Sequence, residues 1–178
     1  MFPKPKAALT PNTYAYESEP LVKPTGFREY DARWLLGKEI NLMGIQALGM
    51  GLGTMIREMG QKPEIVTGHD FRGYSASVKT SLISGLLAAG CKVHDIGLAM
   101  TPMAYFAQFE LDVPCVAMVT ASHNPPADNG YKVYLGDGSQ IVPPTDAEIA
   151  HEIEVVSEEP VGAIARGDDI EFIGDELI

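Results

Sequence analysis

Cysteine is scarce in this chain, with two among 178 residues. Cys91 and Cys115 lie in the apolar runs LLAAGCKV and DVPCVAM. They read as buried thiols of a cytoplasmic protein, not as a disulfide framework, and two thiols alone do not complete a four-ligand zinc site. No apolar run approaches the length of a membrane span. The N-terminal MFPKPKAALTPN has no hydrophobic centre of signal-peptide type. A surplus of positive charge is missing too. The formal net charge is −11, with 12 Lys+Arg against 13 Asp+Glu in residues 1–144 and 1 against 11 in residues 145–178. The acidity belongs to the tail and the body is near neutral. That excludes non-specific nucleic-acid binding, which needs a basic surface, and leaves room for a small anion at a local basic site. A G-x-S-x-G elbow is absent, which removes the serine-hydrolase class. There is no internal repeat and no low-complexity segment.

What is there fits one domain with its own core. Residues 1–25 carry Pro3, Pro5, Pro11, Pro20 and Pro24 and read as an extended arm. Residues 26–160 read as the folded domain, and 161–178 as an acidic tail or the start of a linker. Apolar spacing predicts a helix over Leu35–Met59 despite five glycines, each costing about 1 kcal/mol relative to Ala; close approach to a sheet would explain their presence. Strands are predicted at 64–70, 91–97, 114–121 and 131–135. Helices are predicted at Ser75–Ala89, at 101–109 with Thr101 as N-cap and Pro102 next, and at 145–156 with Asp146 and Glu148 near its positive end. Strands alternating with helices imply an α/β, three-layer fold, with a mixed or mostly parallel sheet of about four strands between helices.

The strongest local signal is Thr120-Ala121-Ser122-His123-Asn124-Pro125, followed by Asn129-Gly130-Tyr131-Lys132. It comes just after the predicted buried strand 114–121. Ligand sites in α/β sheets cluster at the carboxyl ends of strands. Small residues and Pro make a tight loop that can lift a hydroxyl into solvent, and successive N–H groups there can cradle an anion. His123 and Lys132 add donors and positive charge. Each residue also has a plainer reading. Ser122 can be a turn residue, His123 a loop cap and Lys132 a solvated strand residue. Arg33 can pair with Asp31 at i, i+2 on an extended segment, and Tyr30 can simply pack. His69, Asp70 and Arg72 read as loop organisers.

TASHNP with the later NGYK resembles the phosphoserine loop of the α-D-phosphohexomutases (phosphoglucomutase/phosphomannomutase). Phe27–Arg33 resembles that family's N-terminal segment, and Gly68–Arg72 its next landmark loop. The resemblance implies a domain I-like fold and a Ser122 that is phosphorylated at rest. Ser122 would donate its phosphoryl group to a hexose 1- or 6-phosphate, through a hexose 1,6-bisphosphate that reorients and returns the other phosphate. Mg²⁺ would bind through the Ser122 phosphate, its remaining ligands coming from elsewhere. Lys132, His123 and Arg33 would join Ser122 in catalysis; Tyr30, Arg28, Asn124 and Asn129 would contact the glucose or mannose phosphate. The implied partners are the phosphosugar and the other domains of a parent enzyme, with no nucleic acid and no membrane. Trp34 stands where the family usually has Gly. The family's DGDxDR, GEMSGH and Arg-x-Ser-Gly-Thr loops are absent, so only the first of four domains is matched. The isolated piece is then expected to be inactive, with an exposed apolar face where a second domain would dock. The alternative is a non-catalytic module that binds phosphate or a partner.

Overall fold

The computed structural model describes residues 20–28, 31–122, 124, 128–158 and 167–173. A 3-10 turn at Pro24–Gly26 leads into β1 (Ala32–Leu35), α1 (Leu42–Glu58), β2 (Glu64–His69), α2 (Ser75–Ala88), β3 (Lys92–Leu98), α3 (Thr101–Glu110), β4 (Val116–Val119), β5 (Asp128–Tyr134), α4 (Thr145–Val156) and β6 (Ile170–Phe172). The strands form one sheet in the order β1-β5-β4-β2-β3-β6. The four strands from β4 to β6 run parallel, and β5 is antiparallel to both β4 and β1. The sheet is thus mixed, as expected, but has six strands rather than about four. The two additional ones are short edge strands, β1 and β6, which give periodicity little to act on.

Alternation along the strands separates two cores. Trp34, Ile65, Val93, Ala117, Val119 and Tyr131 pack with α1, α2 and α4 on one face. Val66, Ile96, Val116, Met118 and Tyr134 pack with Ala104 and Ala107 of α3 on the other. The result is three layers. β4 is buried at all four positions because helices cover both faces of the sheet.

The first helix begins later than its apolar pattern suggests. Leu35 closes β1, Gly37 turns the chain at φ +85°, and Asn41 caps α1 by accepting the Gly44 N–H at 2.8 Å. A side-chain cap outranks a continuous apolar stripe in setting the first turn. The α1 glycines also have a different cause from the one expected. A Cβ on Gly49 would come within 2.1 Å of the Leu82 carbonyl oxygen, and one on Gly51 within 2.3 Å of the Ile153 side chain. Gly49 and Gly51 thus serve the close approach of α1 to α2 and α4 and not its packing on the sheet. At α3 the N-cap is Met100, and Thr101 is already helical.

Two features hold the margins. Leu21 and Val22 are buried, and Val22 bridges to Ile40. Trp34 lies 2% exposed, donates its indole N–H to the Lys23 carbonyl at 2.7 Å and meets Phe27 edge-on at 5.1 Å. Gly26 leaves the space for it, since a Cβ there would reach the indole nitrogen at 1.9 Å. Burying such a ring is worth on the order of 5 kcal/mol at most. On the far edge, β6 joins β3, where buried His94 lies between Glu64 at 2.7 Å and Glu171 at 3.3 Å. The two thiols are buried, and burial pushes Cys91 up to about 11 and Cys115 up to about 12. Both are therefore protonated and unreactive near neutral pH.

Candidate active site

β2, β3 and β4 all end at the same edge of the sheet. At the end of β4, Thr120 still donates its N–H to the Gly130 carbonyl of β5 at 2.9 Å. Two residues later Ser122 turns with φ +54° and is exposed. That left-handed conformation costs a non-glycine residue roughly 1–2 kcal/mol, so it needs partners. Thr120 Oγ1 accepts the Ser122 N–H at 2.9 Å. Arg72, at the end of the β2 loop, donates through Nη2 to the Ser122 carbonyl at 3.1 Å and to the Asn124 carbonyl at 2.9 Å.

Arg72 is fixed in turn by Asp70. Its Nη1 donates to the Asp70 carboxylate, and its own N–H reaches Oδ1 at 3.1 Å. Ser75 Oγ donates to the same oxygen at 2.6 Å. Burial works to raise the Asp70 carboxyl. Hydrogen bonds from Ser75, the Arg72 N–H and the Thr120 hydroxyl, with the Arg72 charge, outweigh it and hold the group below its ordinary value. Glu64 is lowered as well, with burial opposed by His94 and Lys62.

A carboxyl depressed in the folded state contributes stability that is fully present above its unfolded value, about 4 for Asp. That stability is lost as pH falls through the folded value. The melting temperature is therefore expected to drop as pH falls below about 5. The drop should be shallower in Asp70→Asn, read by calorimetry across the same range. Identical slopes for the two proteins would remove Asp70 from the acid sensitivity.

Beside Ser122 lies an open cleft of about 430 Å³, with Asp70, Thr120 and Ser122 on one side and Thr101 and Met103 of α3 on the other. Its rim is apolar, with Phe71 83%, Leu98 63% and Met100 67% exposed. Helix α3 begins at this cleft, where the Met103 thioether accepts the Met100 N–H at 3.5 Å. A serine hydroxyl at a strand end, beside an open cleft and a helix start, is suited to holding a phosphoryl group.

Similarity to known proteins decides which class this is. The model described as phosphoglucomutase/phosphomannomutase, alpha/beta/alpha domain I, matches residues 24–160. The chain belongs to the phosphoglucomutase/phosphomannomutase family. The phosphoglucomutase/phosphomannomutase of Thermococcus kodakarensis is 37% identical over 113 residues, which cover 63% of this chain and 25% of that protein. The phosphoribomutase of Saccharomyces cerevisiae is 39% identical over 136 residues, 72% of this chain and 21% of that protein. The crystal structure of a family protein from Burkholderia thailandensis matches with a TM-score of 0.69 at 27% identity, over 86% of this chain and 33% of that one. The chain thus spans about a quarter of the length of these curated relatives.

Within this domain the expected site residues are only partly brought together. Ser122 lines the cleft. Asn124 presents its carbonyl to Arg72, while its Nδ2 is buried with no hydrogen-bond partner among the described residues. Lys132 lies on β5 opposite Met118, half-buried, on the sheet face that carries α3. Arg33 lies on β1 opposite Gly130, level with Thr120. It pairs with Asp31 at 2.6 Å, which is the plainer reading of that residue. Arg28 lines a separate cavity of about 30 Å³ with Asp31, Tyr131 and Asp146, away from the Ser122 cleft. Tyr30 and His123 lie outside the described residues, as does the side chain of Asn129, whose backbone pairs with Trp34.

The residue of that motif to which the sequence assigned no role is Thr120. Its hydroxyl serves both Ser122 and Asp70, and the available signal was its position two residues before the serine, where Thr makes a local turn. Among the described residues no group of three or more His, Cys, Asp or Glu side chains could hold a metal, and Asp70 is committed to Arg72, Ser75 and Thr120. These residues do not by themselves make a Mg²⁺ site.

Proposed function

We propose that Ser122 is the phosphoryl carrier of a phosphosugar mutase that interconverts hexose 1-phosphate and hexose 6-phosphate. The reading rests on one observation above the others. An exposed serine in a left-handed turn ends a buried strand beside an open cleft, within a domain of this family.

In this mechanism Ser122 carries phosphate at rest. The bond from phosphorus to Ser122 Oγ breaks as a new one forms to a sugar hydroxyl, whose proton passes to a base while the departing Oγ takes up a proton. The resulting hexose 1,6-bisphosphate reorients, and the reverse step returns its other phosphate to Ser122. Such transfer depends on positioning and on neutralising charge over the phosphoryl oxygens. A phosphoserine brings roughly −1.5 to −2 charges near pH 7. Lys132, His123 and Arg33 supply compensating charge, and Lys132 or His123 moves the proton. Tyr30, Asn124 and Asn129 contact the sugar phosphate. Mg²⁺, held through the phosphate of Ser122 and by further ligands beyond the described residues, would neutralise charge on that phosphate.

The cleft is open on its solvent side, so a sugar cannot be enclosed and oriented by this domain alone. The 178-residue chain is therefore expected to show no steady mutase turnover. The intact mass and phosphopeptide map of the protein made by its own cells test the proposal. Phosphate on Ser122 is the expected result. A serine never phosphorylated there, or turnover at ordinary enzyme rates by the purified 178-residue chain, would count against it.

A further inference from the structure

Arg72 directs its guanidinium at main chain. Nη2 donates to the carbonyls of Ser122 and Asn124, at 3.1 and 2.9 Å, and Nη1 to the Asp70 carboxylate. Nε is buried and has no hydrogen-bond partner among the described residues. The side chain is 7% exposed. Arg72 is not among the residues that line the cleft, and turning its Nη2 to a phosphate there would release both carbonyls. Asp70 cannot follow it, because Ser75 and Thr120 hold the carboxylate from other directions.

We propose that Arg72 is a positioning residue, a clamp that fixes the Ser122 turn from behind and is not a ligand of the transferred phosphate. The proposal rests on Ser122 being the phosphoryl carrier. Its functional content follows from the charge cycle. Ser122 gains and loses roughly two negative charges in each turnover. A loop held through phosphate contacts would loosen each time the phosphate leaves. A loop held through its own carbonyls keeps one geometry in both states, and transfer is sensitive to displacements of about 1 Å, which cost on the order of 100-fold in rate. Lysine cannot replace Arg72. A single ammonium does not reproduce the planar fork that spans two carbonyls and a carboxylate.

The test compares Arg72→Lys with Ser75→Ala. Ser75→Ala removes a hydrogen bond from the same carboxylate but leaves both carbonyl contacts in place. In the 178-residue chain, NMR couplings that report the sign of φ, and amide exchange, are read at Ser122 and Asn124. Arg72→Lys is expected to shift the Ser122 coupling away from its left-handed value and to speed both amides about tenfold, with Val66 and Val119 unchanged. Ser75→Ala is expected to lower the melting temperature while the Ser122 signals stay as in wild type. In the protein as its own cells make it, Arg72→Lys is expected to lower kcat by about 100-fold with KM for the phosphosugar within about twofold, because a positioning residue does not touch substrate. Wild-type Ser122 signals in Arg72→Lys, or equal disturbance by Ser75→Ala, would overturn the clamp. A change carried by KM alone would make Arg72 a substrate ligand and overturn it too. Absence of phosphate on wild-type Ser122 would strike the mutase proposal, and is read separately from the NMR signals.

Discussion

Replacing Ser122 with Ala is expected to remove all covalent phosphate from the protein made by its own cells and to lower mutase activity by at least about 10⁴-fold. The size follows from the chemistry. In the proposed mechanism the hydroxyl oxygen is the atom that bonds phosphorus, and alanine removes it. Stability should hardly change. Ser122 is exposed, and its described contacts with Thr120 and Arg72 run through its N–H and carbonyl, which alanine keeps. Alanine meets the same left-handed penalty as serine. A melting temperature within about 1 °C of wild type, together with loss of phosphate, separates chemistry from folding. Phosphate retained at another residue in Ser122→Ala would mean that the carrier had been misassigned.

Much of the layer plan was legible because local and tertiary signals agree. Val116–Val119 is apolar at every position, which fits a strand covered on both faces, and α3 and the α1, α2, α4 layer do cover it. Helices over Ser75–Ala88 and Thr145–Val156 follow their apolar spacing to within a residue of expectation. Short edge strands were not legible. β6 is three residues, mostly exposed, and its pairing depends on backbone bonds that side-chain pattern does not encode.

The site divides in the same way. Ser122 could be found because its loop is contiguous in sequence. The clamp behind it could not, because Arg72 and Ser122 are separated by α2, β3, α3 and β4. They meet only because β2 and β4 are neighbours in the sheet. Strand order is a property of the whole fold, so a side chain aimed across it leaves no local mark. The GHDFR and TASHNP segments each read as a loop, and their joining became visible only with the sheet assembled.

Gly130, within the NGYK segment, ties fold and site together, and its replacement should have the second large effect. A Cβ at this position would stand 1.8 Å from the Ala32 carbonyl oxygen and 3.4 Å from Arg33 Cα. Both are backbone, so no side-chain rotation relieves the clash. The edge strand β1 must separate from β5, its partner in the sheet. Ala32 and Trp34 would lose their packing, and Arg33 its place level with Thr120. The Gly130 carbonyl would also shift against the Thr120 N–H that begins the Ser122 turn. Overpacking of this kind costs about 1–3 kcal/mol or more, which in a domain of this size lowers the melting temperature by roughly 3–10 °C. Trp34 is the single tryptophan of the chain, so its fluorescence reports β1 directly. Gly130→Ala should shift that emission to longer wavelength as water reaches the ring. Gly73→Ala, where an added Cβ meets nothing within 4 Å, should leave both emission and melting unchanged. If Gly130→Ala behaved like Gly73→Ala, the close β1–β5 approach would not be what demands glycine in NGYK.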